Sequence, residues 1–357
     1  MHAIKIGKEL GDVAATTLRF FRQIGVEAVG MPTRWNTTPG TRPTTRPLVP
    51  ETQHGPVGAQ PPPWEEAELQ RIKAQIEHFG LTAIQANLPL SGNILMGHNE
   101  RDADLAVVKQ NIALAGKLGI QTLTYNFTAL RASEGYGARP HGGRGGADLR
   151  DFDHNRIADL PPLTTVGEQT AEAMWERIGD FLQAVLPVAE GAGVRLAVHP
   201  NDPPVPLYRG VAQPLSDLAG LKRLVNLVDS PANCVFFDTG VTTEMGEDAV
   251  AAIHYFGERK RIAAVHFRNV RVITPRYHYV ETFQDEGDCN MAAAMQALHD
   301  VGYDGLVEPD HTPGIDGDTA DTRIGWAFAV GQMVALRNAL VNPGINKAIA
   351  VSAMPLE

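Results

Sequence analysis

Residues 194–204 read VRLAVHPNDPP, a short apolar, β-branched run that stops at a histidine, a proline and an acidic loop. The same form returns three times downstream, as VFFDTG at 235–240, AAVHFRN at 263–269 and LVEPDH at 306–311. Runs of this length and composition, bounded by turn residues, read as buried strands. Between them, segments at 215–228, 247–256 and 291–301 carry the apolar spacing of amphipathic helices. The alternation continues outward. Strands are expected at 3–7, 26–31, 82–88 and 121–127, helices at 17–24, 64–79, 103–118 and 167–192, and a closing helix at 320–340. Eight strand-plus-helix units in series predict an α/β fold of the closed (β/α)8 TIM-barrel type. They form a single domain over residues 1–340, followed by a tail at 341–357. Two long loops interrupt the pattern, at 33–63 and at 130–165, the second containing GARPHGGRGG. The rival dinucleotide-binding fold would place G-x-G-x-x-G after the first strand, and KIGKELGD at 5–12 has no such fingerprint.

Composition narrows the function. The 357 residues include 41 acidic and 31 basic side chains, a formal charge of −10, which argues against a nucleic-acid-binding face. With 43% hydrophobic and 20% charged residues the chain has an ordinary globular make-up, which excludes wholesale disorder. No run approaches 18 apolar residues and the N-terminus lacks the pattern of a signal peptide, so a cytoplasmic protein with no membrane partner is expected. Cys234 and Cys289 are too few for a disulfide framework, and Cys234, inside an apolar strand, reads as core.

In such a barrel the working residues sit at the carboxyl ends of the strands. Four consecutive strands there deliver His199, Asp238, His266 and the group Glu308, Asp310 and His311 to one rim. Singly, each has a plain structural reading: a strand-end histidine as a hydrogen-bonding residue, Asp238 as a helix cap before Thr-Gly. Jointly, two imidazoles and two carboxylates at one end make a ligand set for Mn²⁺, Fe²⁺, Co²⁺ or Zn²⁺. Glu308 and Asp310 share a strand face, so either could be the fourth ligand. Tyr125 and Asn126, at the end of the fourth strand, are expected to line the pocket, unless Tyr125 merely packs. Asp202 and Glu281 read as partners of a substrate hydroxyl or as loop caps, and Arg268, ahead of Arg209, as the anchor for an anionic substrate. The glycine-rich segment at 136–146 fits no phosphate loop. It is expected as a mobile cover over the mouth or as a contact with a neighbouring subunit.

With these motifs assembled, the chain from Thr122 to Leu336 resembles the mannonate dehydratase family, xylose-isomerase-like barrels acting on sugar acids. The matching pieces are TYNF at 124–127, LPVAEGAGVRLAVHPNDPP at 186–204, DTG at 238–240, HFRN at 266–269, Glu281 with Gly287-Asp288, and PDH at 309–311. The resemblance implies a homo-oligomer that uses a divalent metal, commonly manganese, to expel water from a sugar acid and give a 2-keto-3-deoxy acid. It places metal ligands at His199, His266 and Asp310 and acid/base work at His311. It also sets Asp238 where the family usually has a cysteine, a hard ligand that favours Mn²⁺ or Mg²⁺. Three departures touch substrate and proton handling. Glu308 replaces an arginine suited to a carboxylate clamp and joins His311 as a catalytic candidate, Gln284 replaces a histidine, and Asp321 lies near the place of a tyrosine. Hence a second expectation, a metal-dependent sugar isomerase or epimerase working through an enediolate. The complete ligand set speaks against a non-catalytic sugar-binding barrel.

Overall fold

Eight parallel strands close on themselves: β1 (Lys5–Glu9), β2 (Ala28–Met31), β3 (Thr82–Asn87), β4 (Thr122–Asn126), β5 (Arg195–His199), β6 (Asn233–Asp238), β7 (Ile262–His266) and β8 (Leu306–Glu308), with β8 pairing back to β1. This computed structural model describes residues 4–40, 55–56, 58–131, 134–164 and 166–341. The tail beyond 341 and part of the first loop, 41–54, lie outside the described residues. The crossovers are α1 (Ala15–Gln23), α2 (Glu66–His78), α3 (Arg101–Lys117), α4 (Ala171–Ala192), α5 (Leu218–Leu227), α6 (Ala249–Glu258), α7 (Met291–Asp300) and the closing α8 (Arg323–Val341). The expected TIM barrel is therefore the observed one.

The main apolar core lies between barrel and helices, where outward strand residues such as Leu123, Val198 and Val265 meet Ile112, Phe181 and Ile253. Inside the barrel two small clusters fill the floor: Ala197, Cys234, Phe236, Ala263 and Ala264, and Ala28, Ile84 and Leu306. Strand alternation carries the inward face from Ala197 to His199, from Phe236 to Asp238, from Ala264 to His266 and from Leu306 to Glu308. The site is thus the next layer up from a packed floor.

Three expectations are corrected. The first strand runs to Glu9, two residues past the expected end, because Lys8 and Glu9 are in register with Val29 and Gly30. Charged residues that read as loop are strand. The eighth strand, expected over 305–310, ends at Glu308, since Pro309 brings no amide to the ladder. The expected mobile cover is an ordered sheet. Tyr136–Arg139 and Leu149–Asp153 pair antiparallel, and the second of these pairs with a hairpin, Asn269–Thr274 and His278–Thr282, in the β7–α7 connection. Phe152, fully buried, stacks on Tyr279 at 5.4 Å between ring centroids and meets Tyr136 at 5.2 Å. Asp148 and Gly314 exchange backbone hydrogen bonds of 2.9 and 2.7 Å, which ties the sheet to the loop after β8. Gly287 fits because a Cβ there would run into the Asn269 amide, while Asp288 accepts from Val272 N at 2.7 Å and clasps the hairpin.

If this sheet is a packed layer, Phe152→Ala should cost about 3–5 kcal/mol in urea unfolding, as for other buried phenylalanines. A loss below about 0.5 kcal/mol, the range of a surface change, would return the segment to the status of a loose cover.

Candidate metal centre

At the mouth, His199 Nε2 lies 3.2 Å from His266 Nδ1, and each lies 3.4 Å from Asp238 Oδ2. Donors held at ~2.1 Å from one ion stand roughly 3.0–3.4 Å apart in octahedral or tetrahedral arrangement, so these three separations match a shared cation. Their donor atoms form the one such group of three or more among the described residues. His199 is set for the role: its Nδ1 donates to Pro200 O at 2.8 Å, which turns the Nε2 lone pair inward. Asp238 divides its oxygens. Oδ1 accepts from Val241 N at 2.7 Å, capping the short helix Thr239–Glu244, and Oδ2 faces the imidazoles. The cap reading and the ligand reading of Asp238 therefore hold together.

Asp310 Oδ2 stands 3.7 Å from His266 Nδ1 and 3.3 Å from His311 Nε2, at the open side of the group. Glu308 does not compete for the fourth place or for proton transfer, contrary to expectation. It is fully buried, its Oε1 accepts from Gln85 Nε2 at 3.0 Å, and its Oε2 accepts from Glu9 N and lies 3.9 Å from Lys8 Nζ.

Arg268 is also corrected. Its guanidinium is buried and committed to carboxylates: Nε to Asp238 Oδ2 at 3.0 Å, Nη1 to Glu244 Oε1 at 2.7 Å, and Nη2 to Asp202 Oδ2 at 3.2 Å, with Asp310 Oδ2 3.4 Å from Nε. It neutralises the site and is not a free clamp. The DTG motif makes room for it. Thr239 Oγ1 donates to Arg268 O at 2.7 Å, and a Cβ on Gly240 would lie 2.7 Å from Arg268 Cγ. Arg209, the other expected anchor, pairs with Glu134 at 2.6 Å.

Glu281 organises His311. Its Oε2 lies 3.1 Å from His311 Nδ1 and accepts from Arg150 Nε at 2.9 Å. Both ring nitrogens of His311 thus face carboxylate oxygens. Burial pushes the Glu281 carboxyl up, but Arg150, His311 and Arg268 together bring it below the usual carboxylate range. Burial likewise raises Asp238 and Asp310, and cations win at both: Arg268 and the imidazoles at Asp238, His266, His311 and Arg268 at Asp310. At His266 burial disfavours the cation, yet Asp310, Asp238 and Glu308 push its pKa up to about 9. The field at the centre favours positive charge.

Asp202 accepts from Tyr136 Oη and from Tyr279 Oη, the latter at 3.4 Å, so it braces the accessory sheet against the barrel through Arg268. Tyr125 faces the other way, buried against Phe181 of α4 at 5.3 Å, which removes it from the pocket. Asn126 is exposed at the rim, in register with His199. Gln284 is a structural residue whose amide donates to Phe267 O at 2.6 Å, and Asp321 pairs with Arg323 at 2.9 Å. Beside the centre a cavity of about 190 Å³ is lined by Arg150, Arg268, Asn269, Glu281, His311 and Thr312, among others. Arg150 had no sequence signal, lying beyond the glycine-rich run; the register Arg150↔Glu281 is what brings it in.

A closed (β/α)8 barrel with a two-histidine, carboxylate donor set at its carboxyl-end mouth has the fold of the xylose-isomerase-like barrels. A xylose isomerase domain protein from Planctomyces limnophilus superposes with TM-score 0.58 at 14% identity, over 95% of this chain and 99% of that one. The particular family follows from sequence. The model of the D-mannonate dehydratase (UxuA) family matches residues 41–166 and 147–350, and the chain belongs to that family. Mannonate dehydratase of Enterococcus faecalis is 31% identical over 281 residues, 70% of this chain and 78% of that protein. The crystal structure of mannonate dehydratase from Streptococcus suis serotype 2 matches with TM-score 0.76 at 24% identity, covering 95% of each chain.

Calorimetric titration with Mn²⁺ should give one site per chain. His199→Ala and His266→Ala should each weaken it by more than the roughly 10–100-fold typical of residues that only support a ligand. Asp310→Ala separates the two roles open to that residue: a loss as large as that of the histidine variants makes it the fourth ligand, a smaller one a support.

Proposed function

We propose that this protein is a divalent-metal-dependent sugar-acid dehydratase that removes water from an aldonic acid of the mannonate type to give a 2-keto-3-deoxy acid. The observation that carries the reading is the convergence of His199, Asp238 and His266 within ligand distance, with His311 held between Asp310 and Glu281 beside them. Membership of the D-mannonate dehydratase family supplies the reaction class. His199, His266, Asp238 and, as the fourth, Asp310 would hold the ion. Manganese is the proposed ion, with Mg²⁺, Fe²⁺ or Co²⁺ as alternatives, because a carboxylate at Asp238 offers no soft donor to thiophilic metals. Such an ion supplies Lewis-acid stabilisation of the charge that develops next to the substrate carboxylate.

The chain's own groups account for the proton movements. Dehydration removes the proton on the carbon next to the carboxylate and expels the hydroxyl from the following carbon, leaving an enol that becomes the keto acid. His311 is the group placed to donate the proton that leaves with the hydroxyl or to accept the one from carbon. Glu281, fixed by Arg150, keeps that imidazole oriented. Arg150, partly exposed to the cavity, takes over the approach of the substrate's anionic end, while Arg268 lends charge from behind. Asn126 at the rim is placed for a substrate hydroxyl. The two cysteines are unpaired, which agrees with a reducing, cytoplasmic setting. Among the described residues no helix is long and apolar enough to cross a membrane.

A second reading, isomerisation or epimerisation of a sugar through an enediolate, draws on one observation, the buried carboxylate of Glu308 where a clamp for a substrate carboxylate would be of use. The two are separated by product. With Mn²⁺ and a panel of hexonates, dehydration gives a 2-keto-3-deoxy acid detectable by a colorimetric keto-acid assay and lost on chelation. Solvent deuterium entering recovered substrate without loss of water would instead establish the isomerase reading. Glu281→Gln should lower kcat by about 10–100-fold with a smaller change in metal affinity, since it loosens His311 and leaves the metal ligands in place. An unchanged kcat would remove Glu281 from the mechanism.

A further inference from the structure

The metal ligands occupy β5 to β7, half of the mouth. The facing half is built by β1, β2, β3 and β8, and its inward layer is Glu9, Gly30, Gln85 and Glu308. The inward direction follows from the floor. A Cβ on Gly7 would run into Leu306, a barrel-interior residue, and Glu9 is two residues further along the same strand face. A Cβ on Gly30 would lie 3.3 Å from Glu9 Cγ and 3.4 Å from Gln85 Nε2, so these two side chains close over the position where β2 has no side chain. Gln85 is buried, its Nε2 is used by Glu308, and its Oε1 has no hydrogen-bond partner among the described residues. Such an orphaned buried acceptor is costly unless something donates to it. The Glu9 carboxylate is half-buried, and no hydrogen bond or ion pair engages it among the described residues. Among the described residues this wall offers acceptors and negative charge and, Lys8 being drawn to Glu308 and to the ring of Trp326, no free cation.

We propose that Glu9 and Gln85, backed by Glu308, form a hydroxyl-accepting acidic wall that takes the polyol end of an aldonic acid and excludes aldaric acids, whose second carboxylate would meet it. The inference rests on the sugar-acid reading and fixes the direction in which such a substrate lies. The carboxylate end goes toward Arg150, Arg268 and the metal ligands, and the hydroxyl tail crosses to β1. Substrate hydroxyls supply the donor that Gln85 Oε1 lacks. A carboxylate at the tail would be desolvated beside two fixed carboxylates, and like charges brought together in this way cost several kcal/mol.

The test is competitive binding of mannonate and mannarate to the Mn²⁺-loaded full chain at pH 8, for the wild type, Glu9→Gln and Glu9→Ala. Manganese stoichiometry serves as the check on folding, and Asp229→Asn, an exposed charge in the loop that enters β6 at the end of the barrel opposite the mouth, serves as the charge control. The wild type should prefer the aldonate at least ~10-fold, and both Glu9 variants should narrow that ratio roughly tenfold, while Asp229→Asn leaves it as it is. Equal binding of the two acids by the wild type, or an unchanged ratio in both Glu9 variants, overturns the wall. Binding of no aldonate at all overturns the sugar-acid reading, and this inference with it.

Discussion

One buried guanidinium lets this site exist. Asp238, Asp310, Asp202, Glu244 and Glu281 gather in a low-dielectric mouth around Arg268, which lies within 4 Å of an oxygen of each. Without it, burial would drive several of these carboxyls to hold protons, as it does at Glu244, which stays raised well above the ordinary carboxylate range despite the Arg268 contact. With it, Asp238 stays ionised and available to a cation, while Asp310 is held ionised by His266 and His311 first and by Arg268 after them. The backbone is shaped to the same end. Thr239 ties the turn after β6 to Arg268, Gly240 leaves space for its stem, and Asp202 links it through Tyr136 and Tyr279 to the accessory sheet.

That sheet is the feature that sets this barrel's mouth apart from a bare strand-end site. Arg150 and Glu281 are cross-strand partners within it, so the group that orients His311 is built on hydrogen-bonded strands and not on a loop. Precision follows from that placement, because a pair locked by a ladder and by the Phe152–Tyr279 stack holds its geometry without substrate.

The barrel and the cluster that could hold a metal were legible because their signals are local and repeated. Each of His199, Asp238 and His266 ends an apolar run, and a fixed strand period sends all three to one side. What was hidden depended on long-range pairing. The hairpin at 269–282 has the alternation of a strand pair in NVRVIT and HYVET, but it sits inside one β-to-α connection where a loop is the default expectation. Arg150 follows a glycine-rich run whose composition reads as loose chain. Lys8 and Glu9 are charged, and nothing within the first strand tells that Glu308 and Trp326, about 300 residues away, lie against Lys8. Arg268 and Tyr125 were placed at the rim correctly in sequence, yet one is consumed by carboxylates and the other turned outward to Phe181, outcomes that only packing decides.

The account stands on a single cation point among His199 Nε2, His266 Nδ1 and Asp238 Oδ2. Anomalous diffraction at the manganese edge, from crystals of the chain grown with Mn²⁺, tests it directly. The predicted result is one strong anomalous peak per chain within about 2.0–2.3 Å of all three atoms. A map with no peak at that point, or with the manganese bound elsewhere on the barrel, would contradict it.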